Sequence, residues 1–149
     1  MIRKGRRGEI RVELEPEERI LLRRVAGELE ALLLAEDGDD PSLRRLYPAA
    51  HDDDRLEEEF RTLTRAQLDA GRRQALKTLA ETSGQDRLSR EEADAWLRAL
   101  NDARLVLGTR LDITEDFDWE TLEGHPRAPE LAVYAYLSWI QEQLLDALS

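Results

Sequence analysis

The apolar positions change period along the chain, and each change marks an element. Ile10-Arg11-Val12-Glu13-Leu14 alternates, with Ile2 and a Gly5-Arg6-Arg7-Gly8 turn before it. That is the pattern of a small β-hairpin or a single edge strand. At Pro16 the period shifts: Leu22, Val25, Leu29, Leu32 and Leu33 recur at threes and fours behind Glu17 and Glu18, predicting a helix over about 16–35. The acidic loop from Glu36 to Pro41 ends it, and Asp40 is placed to cap a short turn reaching Tyr47-Pro48 that pins Leu43, Leu46 and Tyr47 on the core.

Capping boxes at Asp54/Glu57 and Thr64/Gln67 open a helix or helix pair running to about Thr82, with Leu63, Leu68, Leu76 and Leu79 inward and Ser83-Gly84 as its break. Ser89 with Glu92 is the clearest box, opening a helix through Trp96 to about Leu111 or Ile113. A short helical turn is expected within Asp112–Glu123, closed by Gly124. Pro126 and Pro129 introduce a last helix whose stripe is Val133, Leu137, Ile140, Leu144 and Leu148, flanked by Leu131, Tyr134 and Leu145. The fold class is mainly α: a compact, irregular bundle of about four main helices with a short N-terminal β-hairpin or strand. One domain over 1–149 is expected, with 1–14 as the β arm and 16–149 as the bundle.

Composition narrows the chemistry. The 149 residues contain no cysteine, which removes disulfides, thiolate nucleophiles and zinc ribbons. A net charge of −11 opposes broad attraction to phosphates or anionic lipid, and the one local surplus is the arm, where Arg3, Lys4, Arg6, Arg7 and Arg11 face Glu9. With neither a secretory apolar run nor an 18-residue apolar span, a cytoplasmic protein without membrane insertion is expected. The histidines, His51 and His125, have no nucleophile beside them in sequence, and there is no phosphate-cradling glycine loop, so no enzyme, cofactor or metal is expected. His51-Asp52-Asp53-Asp54 offers metal-ligand types, but consecutive acids do not converge on one point.

Candidate binding residues come from the helix opened by Ser89. On a helical wheel Trp96, Leu97, Leu100, Ala103, Leu107 and Leu111 form an apolar arc that also contains Arg104 and Arg110, with Asn101 at its edge. A guanidinium on such a face must be paired or must snorkel. Arg104 either ties the helix to a carboxylate on the acidic loop or first long helix, or lines, with Arg110, a cleft for a partner's anionic groups. Gly108 implies close approach of a neighbouring backbone. Phe117 and Trp119, inside an acidic stretch without Lys or Arg, read either as an interaction surface for a basic partner or as aromatics tucked into the bundle.

The run Trp96-Leu97-Arg98-Ala99-Leu100-Asn101-Asp102-Ala103-Arg104-Leu105-Val106-Leu107-Gly108-Thr109-Arg110-Leu111 resembles the signature of the AosR-like actinobacterial family, long catalogued only as a domain of unknown function. Leu46-Tyr47-Pro48, Ala50-His51, Arg61-Thr62-Leu63-Thr64 and the Leu131-Ala132-Val133-Tyr134 helix ending Gln141-Glu142-Gln143-Leu144 extend the likeness over nearly the whole chain. The resemblance implies an oxidative-stress-responsive transcriptional regulator that associates with a stress sigma factor, and through it with RNA polymerase, to raise expression of a sulfur-carrier cysteine-synthesis pathway. The thiol sensing described in that family has no counterpart in these residues, which lack cysteine. The alternative reading is a homodimeric scaffold or adaptor pairing through the N-terminal strand. Direct DNA binding through the arm ranks last, because no helix presents a basic exposed face.

Overall fold

The computed structural model describes residues 1–34, 41–46 and 54–149, and for 44–45 and 54–66 the backbone alone. Strands β1 (Ile2–Lys4) and β2 (Ile10–Val12) form an antiparallel hairpin. Its turn is built on Gly5 and Gly8: Gly8 donates to the Gly5 carbonyl at 3.3 Å and takes φ +85°, which glycine adopts without steric cost. A third strand, β3 (Arg87–Leu88), pairs antiparallel with β2, giving the order β1-β2-β3. Two residues are too few to show an alternation, so the sequence predicts no strand there.

One face of this sheet carries Ile2, Ile10, Val12 and Leu88 into the core. The other sets Arg3, Arg11 and Arg87 in a row across the strands. Like charges in register repel. Glu13 offsets Arg3 at 2.9 Å and Glu9 lies 3.7 Å from Arg11, so the basic arm is a folded hairpin with its own acids. The Ile2 N–H, on the open edge of β1, donates to Gln143 Oε1 at 2.6 Å. At that residue the edge a second copy would need is already occupied.

Helix α1 (Pro16–Leu34) buries Leu22, Ala26 and Leu29. A 3-10 turn, Pro41–Leu46, buries Leu43 and Leu46 as expected, while Tyr47 and the His51 cluster lie outside the described residues. Helix α2 (Asp54–Thr82) is one uninterrupted helix, with Leu76 and Leu79 fully buried. Leu68, expected inward, is instead 39% exposed. Helix α3 (Arg90–Arg110) begins at the full Ser89/Glu92 capping box and packs against α2, the 3-10 turn and helix α4 (Ala128–Leu148). On α4 the stripe Leu137, Ile140 and Leu144 is fully buried, but its flank Leu145 is 48% exposed.

Three polar joints lock this arrangement. Trp96, fully buried, donates its indole N–H to Thr82 Oγ1 at 2.6 Å, and that hydroxyl donates to the Thr78 carbonyl. Arg19 donates to the carbonyls of Leu14, Val12, Ser83 and Gln85 and to Asp86, fastening α1 to β2 and to the turn after α2. Arg72 on α2 lies 3.3 Å from Asp102 on α3 and donates to the Leu46 carbonyl. Among the described residues no helix is long and apolar enough to cross a membrane.

Candidate functional site

The C-terminus of α3 sets the direction of everything that follows it. Asp112 takes φ +53°, its N–H donates to the Thr109 carbonyl, and the Ile113 N–H donates to the Gly108 carbonyl at 2.9 Å. This is a Schellman motif with aspartate where glycine is usual. It buries Ile113 and turns the acidic segment back along the start of α4. A 3-10 turn, Trp119–Thr121, follows, capped by the Asp118 side chain, and Gly124 at φ +82° closes the segment as its position predicts.

Arg104 reaches across to α4. Its Nε donates to Ser138 Oγ at 2.8 Å, Nη1 donates to Gln141 Oε1 at 2.5 Å, and the guanidinium carbon lies 5.4 Å from the centre of the Tyr134 ring. The carboxylate expected from the sequence is not its partner: the wheel located the charge correctly, but α4 supplies neutral acceptors. The guanidinium therefore keeps its positive charge without an ion pair among the described residues. Asn101, a turn earlier and exposed, has its Oδ1 3.5 Å from Gln141 Nε2.

The aromatics continue from Tyr134. Trp119 stacks on it at 5.9 Å and 16°, Phe117 meets Trp119 edge-on at 4.8 Å, and His125 lies 6.3 Å from Phe117. The two aromatics of this segment differ in burial. Phe117 packs on Leu111, Ile113 and Leu131, whereas Trp119 stays 40% exposed. His125 Nδ1 accepts the Arg127 N–H at 3.0 Å, an arrangement internal to its turn.

Asn101, Arg104, Phe117 and Trp119 thus share the side of the molecule where α3, α4 and the acidic segment meet. An open groove of about 880 Å³ runs there, with Arg104, Tyr134 and Ser138 in its lining, Trp119 and Trp139 as its exposed aromatics, and Glu115 and Glu142 as its acids. Arg110 is elsewhere. The wheel placed it in the apolar arc; at the last turn of α3 it is exposed and borders a smaller groove formed with α1, while its carbonyl accepts from Arg127 Nη1. Trp139, 44% exposed, is among the lining residues that sequence reasoning missed, with Glu115, Tyr134, Ser138 and Glu142. The available signal was a second stripe on the last helix, Tyr134, Ser138 and Glu142 at intervals of four, with Trp139 beside it.

Stacking surfaces, one guanidinium and neutral hydrogen-bonding side chains are groups that hold a ligand. Among the described residues no three His, Asp or Glu side chains are grouped to bind a metal ion.

A putative oxidative stress regulator, AosR, from Mycobacterium leprae is 36% identical over 132 residues, covering 76% of this chain; the chain spans 61% of that relative's length. The oxidative stress regulators AosR of Mycobacterium bovis and Mycobacterium tuberculosis are each 29% identical, across 93% of this chain and 81% of their own. No solved structure matches. The model of a family described as a domain of unknown function (DUF2017) matches residues 1–148, and the chain belongs to that family.

Proposed function

We propose that this protein is a non-enzymatic regulator of an oxidative-stress response in the cytoplasm, acting on transcription by binding a stress sigma factor and through it RNA polymerase. The groove between α3 and α4 is its docking face. The observation that carries this reading is the pairing of exposed Trp119 and Trp139 with Arg104, a cation satisfied by Ser138 and Gln141 and not neutralised by them. Exposed aromatics and arginine are the residue types that anchor protein interfaces. The names of the mycobacterial relatives support the regulatory part. Without cysteine, the oxidant signal reaches this chain by a route other than its own thiols.

Affinity purification of the tagged protein from its native cells, at low salt and again at about 0.3 M salt, tests the reading. A sigma factor or polymerase subunit should be recovered and should diminish as salt rises. Recovery of the tagged chain alone would overturn it.

A further inference from the structure

The chemistry of the groove specifies what kind of segment it accepts. Its walls are short of positive charge: α4 contains no Lys or Arg, and neither does the stretch from Asp112 to Glu123. Glu115 and Glu142 line the groove, are exposed, and form no ion pair among the described residues. The cation in the lining, Arg104, is fixed by its Nε and Nη1 bonds, while Nη2 donates to no described group. Such a donor suits a neutral carbonyl, and the surrounding acids suit a cation.

The aromatics point the same way. Tyr134 already holds a guanidinium against its ring, that of Arg104 at 5.4 Å, so this wall receives a planar cation within the molecule itself. Trp119 and Trp139 keep 40% and 44% of their surface open beside it, and indole is the best of the aromatic faces for a cation. A second copy docked α4 against α4 would set its acids against the same acids, which like-charge repulsion opposes.

We propose that the groove binds a basic segment of the partner protein: an arginine or lysine side chain lies against Trp119 and Trp139 with its charge facing Glu115 and Glu142, and a main-chain carbonyl accepts from Arg104 Nη2. This rests on the reading of the face as a docking site and adds the chemistry of its occupant.

The test uses the full chain and two fluorescein-labelled, capped peptides, one with arginines flanking a leucine and the other with glutamates in place of the arginines. Anisotropy titrations are run at low ionic strength and at about 0.15 M salt. The arginine peptide should bind, more weakly at the higher salt, and the glutamate peptide should not. Trp139→Ala and the double variant Glu115→Gln/Glu142→Gln should each weaken binding about fivefold, a cation–π contact or a screened charge pair being worth about 1 kcal/mol. Trp139→Phe should retain most of it, and Leu145→Ala, exposed outside the groove, all of it. Circular dichroism melts establish that each variant is folded.

Absence of binding, equal or tighter binding of the glutamate peptide, or indifference to the groove variants would overturn the proposal. If a sigma factor co-purifies with the wild-type chain and equally with both groove variants, the proposal falls and the regulatory reading stands. If the peptides behave as expected and no transcription protein is recovered, the regulatory reading falls and the proposal stands.

Discussion

Replacing Arg104 with alanine tests whether this arginine is held by neutral groups. The substitution removes a 2.8 Å bond to Ser138, a 2.5 Å bond to Gln141 and the contact with Tyr134. Hydrogen bonds from a charged donor contribute about 1.5–3 kcal/mol when buried. This site is half-buried and water can replace the donor, so about 1 kcal/mol each is expected. The ring contact adds about 0.5–1 kcal/mol, for a total of about 2–3 kcal/mol. For a chain of this size that lowers the melting midpoint by about 4–12 °C.

Lysine at 104 should recover about half of the loss, since a single ammonium cannot reproduce the fork that spans both acceptors. Urea denaturation of Arg104→Ala, Gln141→Ala and the double variant should give a coupling of about 1 kcal/mol. Because no carboxylate is paired with it, the loss should change little between about 0.05 M and 0.5 M salt. A loss below about 0.5 kcal/mol, or one that shrinks as salt rises, would refute the geometry described here.

Three further outcomes follow from the fold. Thr82→Val leaves the Trp96 indole N–H buried without an acceptor and should cost about 1–3 kcal/mol in urea unfolding, whereas Thr82→Ser should cost less; equal costs would dismiss the hydrogen bond as the cause. Asp112→Gly removes a side chain from the left-handed region and should stabilise by about 0.5–1 kcal/mol, read as a higher melting midpoint. Burial raises the Asp102 carboxyl above its ordinary 3.8 despite the opposing charge of Arg72 3.3 Å away. The folded chain therefore holds that proton more tightly than the unfolded chain. The contribution is fully present below about 3.8 and is lost as pH rises through the raised folded value. Urea midpoints compared with Asp102→Asn should show wild type losing ground across that interval; a wild-type advantage that grows with pH would contradict the sign.

What the sequence reveals here is what is local. Ser89 and Glu92 lie three positions apart and cap each other, so the start of α3 is readable from four residues. The turn at Gly124 is likewise written in glycine and acid spacing. Partners brought from a distance are not. That Arg104 lies on an apolar face is a property of one helix; that Ser138 and Gln141 receive it depends on the crossing of two helices joined by the turn at Asp112, 34 and 37 positions away in the chain. Strand β3 fails for the same reason, since it is a strand only because β2 lies beside it. Leu68 misleads because a leucine at helical spacing need not face a neighbour: it is 39% exposed, and helical spacing alone does not say which turns another element covers.

The bond between Ile2 and Gln143 spans 141 positions, and the middle strand of the same sheet waits for Leu88. A growing chain therefore makes its hairpin first and completes the support for it late. Through most of synthesis Ile2, Ile10 and Val12 face water, because a two-stranded hairpin this short is marginal alone and the helix that covers its edge has not yet been made. The order of synthesis runs against the order of stability, and strands made before the helix that covers them are among the last elements to be secured.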